Sequence, residues 1–240
     1  VRWYRKAADQ GLAEAQFNLG GMYISGRGVV KDEGESVRWW QKAAEQNLAN
    51  AQFNLGLAYD NGYGVTKNIA EAVHWYRKAA EKGNTNAQFN LGLLYRNGLG
   101  VTKDDGEAAR WYRKAAEQGN ASAQFNLALM YRKGLGVTKD DVEAARWYRK
   151  AAEQGDASAQ ANLGYLYSEG KGVPVDKTMA VHWSRKAAEQ GDAIGQFNLG
   201  EAYEKGDGIT QNQKQAVKWY RKAAEQGVAK AKAALKRLGK

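Results

Sequence analysis

Few residues of this chain have the types and the spacing that catalysis requires. Ser168 and Lys171 have the Ser-x-x-Lys spacing of serine β-lactamases, but the Ser-Asp-Asn and Lys-Thr-Gly segments that complete such a site are missing. The pair also falls where a helix is expected to end in a glycine-rich loop, so the lysine would not lie on the serine's helix face. We interpret Ser168 as a chance match and predict that the chain is not an enzyme.

Metal, cofactor and phosphate sites find equally little support in the sequence. The chain has no cysteine and two histidines, His74 and His182, which are far apart in sequence. Zinc sites use clustered cysteine and histidine ligands, so no metal site and no cofactor are predicted. Gly98 and Gly100 imitate a phosphate-binding loop, but such a loop follows a strand and opens a helix, whereas these glycines follow a predicted helix.

A tryptophan-centred phrase recurs every 36 residues along the chain, with small variations around Trp-Tyr-Arg-Lys-Ala-Ala. No insertion or deletion separates its seven copies, which begin at Trp3, Trp39, Trp75, Trp111, Trp147, Trp183 and Trp219. A fixed period of about 20–50 residues is typical of stacked repeat arrays. The sequence therefore predicts an array in which each repeat contacts only its neighbours.

Each repeat is predicted to form two packed antiparallel helices, which we call helix A and helix B. In one repeat, an apolar stripe at helical spacing predicts helix A over 85–97, and Gly98 is expected to end it in the left-handed conformation. Asp104 and Glu107 have the spacing of a reciprocal capping box, which predicts that helix B follows, over about 106–118. Neither helix is long enough to be stable alone, so stacking must stabilise both.

The same boundaries predict that residues 1–240 form a single repeat array. Residues 1–11 are expected to hold a lone helix B, residues 12–227 six complete A–B repeats, and residues 228–240 a capping helix with a basic tail. A polar end of this kind suits an array that must stay in solution. The oligomeric state is left open, and any targeting segment is expected upstream of Val1.

The recurring phrases resemble those of the Sel1-like repeat family, which is related to tetratricopeptide repeats. They read Ala-x-Ala-Gln-Phe-Asn-Leu-Gly-x-x-Tyr-x-x-Gly-x-Gly-Val and Ala-x-x-Trp-Tyr-Arg-Lys-Ala-Ala-Glu-Gln-Gly, and they cover essentially the whole chain. The resemblance implies an all-α fold, a right-handed α/α superhelical solenoid whose A helices line a concave groove. It also implies a non-catalytic scaffold or adaptor that binds a peptide or partner protein in that groove.

Two alternative functions come with the resemblance. One is an immunity or inhibitor protein that neutralises a bacterial toxin or effector enzyme. The other is a β-lactamase-like hydrolase, which the missing motifs disfavour. The style of the repeats resembles bacterial members, for which a periplasmic or secreted location is favoured over a cytoplasmic one.

By analogy with related superhelices, three sets of helix A residues are candidates for partner binding. The first is an asparagine row, whose amides can both donate and accept hydrogen bonds: Asn18, Asn54, Asn90, Asn126, Asn162 and Asn198. The second is a phenylalanine row, which Ala161 interrupts: Phe17, Phe53, Phe89, Phe125 and Phe197. For both rows the alternative is packing between repeats.

The third set occupies the variable positions of helix A, which are expected to carry specificity. Its apolar members are Leu57, Leu93, Leu129 and Tyr165, and its basic members are Arg96, Arg132 and Lys133. This set predicts a ligand with an apolar anchor and an acidic side chain. The alternative is solvated variation without a binding role.

Two departures from the repeated pattern and one recurring pair lead to further expectations. Ala161 is expected to open a pocket in the phenylalanine row. Ser184 replaces a recurring tyrosine and is expected to leave a packing gap rather than act as a nucleophile. The Arg-Lys pair of the repeated phrase is expected on the solvated side of helix B, with i,i+3 ion pairs such as Lys114 with Glu117.

The formal net charge of +10 could attract nucleic acid or an anionic membrane surface. Single-stranded nucleic acid needs aromatic side chains on which bases stack, and here the aromatics recur at positions expected in the core. A protein partner is therefore favoured, and nucleic acid bound through the basic tail is the disfavoured alternative. The chain has no run of about 18 apolar residues, so no membrane span is predicted.

Overall fold

A computed structural model describes residues 1–240, which form fourteen α-helices and no strand. The odd-numbered helices are B helices: α1 (Arg2–Asp9), α3 (Glu33–Glu45), α5 (Ile69–Glu81), α7 (Asp105–Glu117), α9 (Asp141–Glu153), α11 (Lys177–Glu189) and α13 (Gln213–Glu225). The even-numbered helices are A helices: α2 (Ala13–Ser25), α4 (Ala49–Asn61), α6 (Thr85–Asn97), α8 (Ala121–Lys133), α10 (Ala157–Glu169), α12 (Ala193–Lys205) and α14 (Ala229–Arg237). The all-α fold and the bounds predicted for α6 are confirmed.

The chain divides into two compact units, Val1–Gln118 and Gly119–Lys240. The first unit contains α1 to α7 and the second contains α8 to α14. Within each unit, consecutive helix pairs stack side by side in a solenoid-like arrangement.

Helix ends follow the capping expected from the sequence, with one correction. Gly98 ends α6 at a φ of 67°, and the Asp104 carboxylate accepts the backbone N–H of Glu107 at 2.9 Å to open α7. The reciprocal half of the predicted capping box is wrong, because the Glu107 carboxylate pairs with Arg110 at 2.7 Å. The N–H of Asp104 donates instead to the carbonyl of Tyr95 at 3.0 Å, which ties the loop to the end of the A helix.

Close packing of an A helix on its B helix requires a small residue on helix A, where the tyrosine ring of helix B lies against it. In the first unit, a Cβ atom added at Gly56 would lie 2.6 Å from the ring of Tyr76, and one added at Gly92 would lie 2.7 Å from Tyr112. Both tyrosines are completely buried. In the second unit Gly200 has the same relation to Tyr220, at 2.8 Å. These glycines are retained inside helices because the tyrosine ring occupies the space of a Cβ.

Successive helix pairs are joined by tryptophans and by loop glycines. In the first unit, Trp111 of α7 is 2% exposed and belongs to one cluster with Val73 and Tyr76 of α5. A Cβ atom at Gly100, where φ is 68°, would lie 2.8 Å from the carbonyl oxygen of Ile69. The loop after α6 therefore rests on the start of α5, and Gly64, Gly172 and Gly208 approach the starts of their preceding B helices in the same way.

A relay of buried glutamines joins the same elements through hydrogen bonds. Gln88 of α6 donates from Nε2 to the carbonyl of Ala80, at the end of α5, at 3.1 Å. Its Oε1 accepts an N–H of Gln118, just past the end of α7, at 2.8 Å. Gln160 of the second unit repeats both bonds, with Ala152 at 3.0 Å and Gln190 at 2.8 Å. Each relay satisfies a helix-end carbonyl and fixes three helices at one point.

One relay of the first unit is incomplete. Gln52 donates to the carbonyl of Ala44 at 3.1 Å, but its buried Oε1 has no hydrogen-bond partner. The reason is local: Lys82 stands where Gln118 stands in the next repeat. A buried acceptor without a donor costs free energy.

Lys82→Gln is expected to complete this relay and to stabilise the protein by about 1 kcal/mol. The measurement is the urea unfolding midpoint, which should rise. The matched control is Gln118→Lys, which removes the donor to Gln88 and should lower the midpoint. If both variants unfold at the parent midpoint, the relay contributes nothing measurable to stability.

Candidate protein-binding surface on the A helices

The A helices of each unit carry the variable residues on one exposed or half-buried face. In the second unit this face is formed by three triplets at i, i+3 and i+7, spacing that places side chains on one side of a helix. They are Asn126, Leu129 and Lys133 on α8, Asn162, Tyr165 and Glu169 on α10, and Asn198, Glu201 and Lys205 on α12. We call this set the A-helix face of the second unit.

The first unit presents an equivalent face that is less charged. Its triplets are Asn18, Gly21 and Ser25 on α2, Asn54, Leu57 and Asn61 on α4, and Asn90, Leu93 and Asn97 on α6. Leu57 and Leu93 are half-buried. A shallow depression lies beside Leu93, between Asp60 and Asn90.

The asparagine row makes contacts both within its own helices and between neighbouring repeats. Asn162 donates to the carbonyl of Ser158 at 2.8 Å and accepts an N–H of Arg132 at 2.5 Å. Asn198 reaches from α12 to the carbonyl of Ala161 on α10 at 3.3 Å. The amides therefore hold repeats together while most of the row stays partly exposed.

The phenylalanine row lies between the exposed face and the core. In the first unit Phe53 and Phe89 contact Tyr76 and Tyr112, with ring centroids 5.9 Å apart in both pairs. In the second unit Phe125 contacts Tyr148 at 5.7 Å. All three phenylalanines are half-buried, so each ring packs on a core tyrosine and stays partly exposed.

The three basic candidates differ in their surroundings. Arg96 is half-buried on α6 of the first unit, where its charge acts on Tyr112. Arg132 of the second unit is held by Asn162 and lies 5.9 Å from the ring of Tyr165. Lys133 is exposed on the adjacent turn of the same helix. In the second unit, therefore, one hydrogen-bonded cation and one exposed cation lie next to the apolar side chains of the face.

The hydroxyl of each buried tyrosine lies near one residue of helix A, the residue immediately before the last member of that helix's triplet. Tyr76 donates to Asp60 at 3.2 Å, and Tyr220 donates to Glu204 at 2.7 Å. Glu204 also pairs with Arg237 of α14 at 2.6 Å. The hydroxyl of Tyr148 has no hydrogen-bond partner. Burial, slightly opposed by the charge of Arg132, raises the pKa of Tyr148 to about 12.

The fifth repeat, residues 157–192, departs from this pattern. Ser184 stands where the other B helices carry tyrosine or tryptophan, and it lines a cavity of about 80 Å³. The packing gap expected at Ser184 is thus confirmed. The pocket expected at Ala161 is wrong in position, because Ala161 is itself buried and does not line the cavity. With no phenylalanine there, α12 packs directly on α10 and covers Ala161.

The residues that imitated catalytic motifs have structural contacts instead. The Ser168 hydroxyl donates to the carbonyl of Tyr165 at 2.9 Å, and Lys171 donates to the Tyr165 hydroxyl at 2.6 Å. His74 and His182 lie edge-on against the tryptophans that follow them. No group of three or more histidine, cysteine, aspartate or glutamate residues is placed to hold a metal ion. None of the fourteen helices has the length and apolar character of a membrane span.

The Arg-Lys pair of the repeated phrase has contacts that the sequence did not suggest. Arg77 reaches from α5 to the hydroxyl of Tyr95 on α6 at 2.7 Å, and Arg149 makes the same contact with Tyr167 in the second unit at 2.5 Å. Lys114 lies over the ring of Trp111 at 4.6 Å, rather than pairing with Glu117. The arginine therefore joins repeats, and the lysine covers the tryptophan face.

Comparison with known proteins identifies the repeat. The Sel1 repeat model matches residues 1–12, 13–48, 49–84, 85–120, 121–156, 157–192 and 193–228. The chain belongs to the Sel1 repeat family. Its members are generally scaffolds for protein interactions, and nothing in the matches shows catalysis. No curated protein matches the chain significantly.

Among solved structures, two bacterial Sel1 repeat proteins are similar to this chain. One is c5321, a protective antigen of uropathogenic Escherichia coli with an SLR fold, at 43% identity and a TM-score of 0.88. The match covers 96% of this chain and 49% of c5321, so the chain spans about half the length of that relative. The other is a Sel1 repeat protein from Oxalobacter formigenes, at 40% identity, a TM-score of 0.74 and coverage of 89% and 86%.

A third structure, the immunity protein PA5088 from Pseudomonas aeruginosa, matches at 26% identity and a TM-score of 0.47. The match covers 76% of this chain and 66% of PA5088.

The two tyrosine environments of the second unit predict opposite responses to loss of the hydroxyl. Tyr220→Phe breaks the hydrogen bond to Glu204, and hydrogen bonds to charged groups contribute about 1.5–3 kcal/mol, so its urea midpoint should fall. Tyr148→Phe removes a buried hydroxyl that has no partner, so its midpoint should stay level or rise. The reverse order of midpoints would contradict the hydrogen bonding described here.

Tyr148 also predicts a loss of stability in alkali. The unfolded phenol ionises near its ordinary pKa of 10, whereas the folded phenol ionises only near 12, so the unfolded state is favoured progressively between these pH values. At pH 11 this effect is about 1 kcal/mol, and Tyr148→Phe should remove it. Urea titrations at pH 8 and pH 11 measure it, with Tyr63→Phe, an exposed tyrosine, as the control. Equal pH dependence in parent and Tyr148→Phe would refute it.

Proposed function

We propose that this protein is a non-catalytic scaffold that binds a peptide or a segment of a partner protein on its A-helix faces. One observation carries the proposal: the recurring residues are used in packing, whereas the variable residues of helix A stay accessible. Recurring side chains such as Gln88, Trp111 and Tyr112 are buried. A surface that varies from repeat to repeat on an invariant framework can supply specificity without altering the fold.

The chemistry of the second unit's face favours a partner with an apolar anchor next to an acidic side chain. Leu129 and Tyr165 are half-buried, so a partner could cover them at little entropic cost. Arg132 and Lys133 adjoin them, and Arg132 is already held by Asn162. A pre-positioned cation loses less side-chain freedom when a carboxylate binds.

The asparagine and phenylalanine rows form the floor of the proposed surface. Asn54, Asn90, Phe53 and Phe89 of the first unit are half-buried, as are Asn162 and Phe125 of the second. Contacts with buried tyrosines hold the phenylalanines in place, and Asn162 accepts a hydrogen bond from Arg132. The amides can still exchange hydrogen bonds with an extended peptide. We propose that these rows add contact area and orientation, while the variable positions select the partner.

The experiment is affinity capture from native lysate with two matched double variants. Leu129→Asp with Lys133→Glu changes the A-helix face, and Val142→Asp with Lys139→Glu makes the same change of charge on an exposed site at the start of α9. Mass spectrometry should identify a protein that the parent and the α9 variant retain and that the A-helix variant loses by at least about tenfold, the factor that 1.4 kcal/mol represents.

Circular dichroism of each variant establishes that the helices are intact before capture is compared. A partner that the A-helix variant retains and the α9 variant loses would move the binding surface to the B helices and contradict the proposal. If the captured protein is an enzyme that the chain inhibits, the scaffold acts as an immunity protein on the same surface.

A further inference from the structure

The last B helix of the second unit, α13, keeps a cation whose usual partner is missing. In α9 of the same unit, Arg146 pairs with Glu143, three residues earlier, at 3.0 Å. In α13 the cation is retained as Lys218, but Gln215 stands in the place of the acid. Lys218 therefore has no carboxylate of its own helix to pair with.

Two further cations of α13 depart from the repeated pattern. Lys214 adds a charge to the first turn, at a position where α9 has a valine. Arg221 is the equivalent of Arg149, which donates to the hydroxyl of Tyr167 at 2.5 Å. Gly239 stands where that tyrosine would stand, so Arg221 lacks the acceptor that holds its counterpart.

The cations of α13 line an open groove on the exposed side of the helix. The groove has a volume of about 810 Å³, and Val217 and Glu225 contribute to its wall. Five exposed cations complete the lining: Lys214, Lys218, Arg221, Lys222 and Lys240. No carboxylate lies within ion-pair distance of any of these five cations.

The chain around the groove strengthens its positive potential. Residues 213–240 contain nine lysines and arginines and a single acid, so most of the chain's formal net charge of +10 lies there. Clustered charge of one sign attracts ligands of the opposite sign and speeds their association. The groove is thus suited to an acidic ligand.

The spacing of the lysines suits an extended peptide. Lys214, Lys218 and Lys222 follow one another at intervals of four residues, which is about 6 Å along a helix. Side chains on one side of an extended strand are about 6.6 Å apart, because alternate residues point the same way. Carboxylates on alternate residues of a peptide can therefore meet successive lysines of α13.

Other anionic ligands find less support on this surface. Bases of single-stranded nucleic acid need an open aromatic face, but Tyr220 is buried and Lys222 lies over the ring of Trp219 at 4.8 Å. Helices that lie on membranes insert large apolar side chains, and neither α13 nor α14 exposes one. A protein segment is favoured over both.

We propose that the groove of α13 binds an acidic, extended segment of a protein, with carboxylates on alternate residues. This second surface lies on a B helix and goes beyond the proposed function, which concerns the A helices. The cations are available for it because Gln215 and Gly239 replace the side chains that engage their counterparts in α9.

The test uses the complete chain and fluorescence anisotropy at an ionic strength of about 0.15 M, where long-range attraction between exposed charges is screened. The probes are two labelled octapeptides of equal composition, one with aspartate and serine alternating and one with the aspartates in a single block, and a short labelled DNA duplex. The alternating peptide should bind saturably, with a Kd below about 1 mM. The block peptide should bind at least about threefold more weakly, because half of its carboxylates face away from the lysines.

Two variants test whether the groove is the binding site. Lys214→Gln with Lys218→Gln should weaken binding of the alternating peptide at least about fivefold, since two ion pairs are lost. The matched control, Lys230→Gln with Lys232→Gln, removes the same charge from exposed positions of α14 outside the groove and should change binding less than twofold. Gln215→Glu supplies the missing partner of Lys218 and should also weaken binding, by about threefold.

Equal loss of binding in the two double variants overturns the proposal, because it shows attraction to net charge alone. Equal binding of the two peptides overturns the alternating register, and tighter binding of the DNA duplex at the same groove overturns the assignment to a protein segment. The outcome is separable from that of the proposed function, because the Leu129→Asp, Lys133→Glu variant should lose its captured partner and still bind the alternating peptide.

Discussion

The rest of the structure depends on the hydrogen bonds that the buried glutamine of helix A makes with the two neighbouring B helices. In α6, for example, its side-chain N–H₂ reaches a carbonyl at the end of the preceding B helix, and its carbonyl accepts an N–H of a glutamine at the end of the following B helix; in α4 the second bond is missing, and α14 has no glutamine. These groups are buried, so leaving them unpaired would cost free energy that short helices cannot recover by themselves. The relay therefore fixes the spacing of three helices, and this spacing brings the tyrosine ring onto a helical glycine and the tryptophan onto the preceding repeat.

Because of that constraint, the recurring side chains and the variable side chains have different roles. Glutamine, tyrosine, tryptophan and the arginine that reaches the next repeat are occupied by stacking, and they recur because every repeat needs them. The exposed positions of helix A are not used in this way, so they can differ among repeats. The proposed partner selection would therefore fall on α8, α10 and α12 in the second unit and on α2, α4 and α6 in the first. In the fifth repeat, Ser184 replaces the buried tyrosine and lines a small cavity next to the exposed face.

Much of this structure could be predicted from the sequence because the repeat makes every local signal recur. Helix α6 was placed correctly, since Gly98 needs a positive φ at a helix end and the apolar stripe has helical period. The gap at Ser184 followed from comparing it with the tyrosines at equivalent positions. By contrast, no sequence pattern singled out Gln88, and only the structure shows it buried and hydrogen-bonded to two other helices. A side chain's partners across repeats depend on helix spacing, which a single sequence does not encode locally.

The same limit explains the capping box and the candidate binding site. Glu107 was expected to reach back to its own helix start, but Arg110 lies one turn away and offers a charged donor, while the loop backbone already satisfies Asp104. The sequence identified the variable positions of helix A, yet their role depends on a partner whose chemistry lies outside this chain.

Hydrogen exchange measured by mass spectrometry, with and without the captured partner, tests the central claim most directly. The account predicts that the partner slows hydrogen exchange in peptides from α8, α10 and α12 and leaves exchange in peptides from α9 and α11 unchanged. Protection confined to α9, α11 and α13, or to the basic residues after α14, would contradict it.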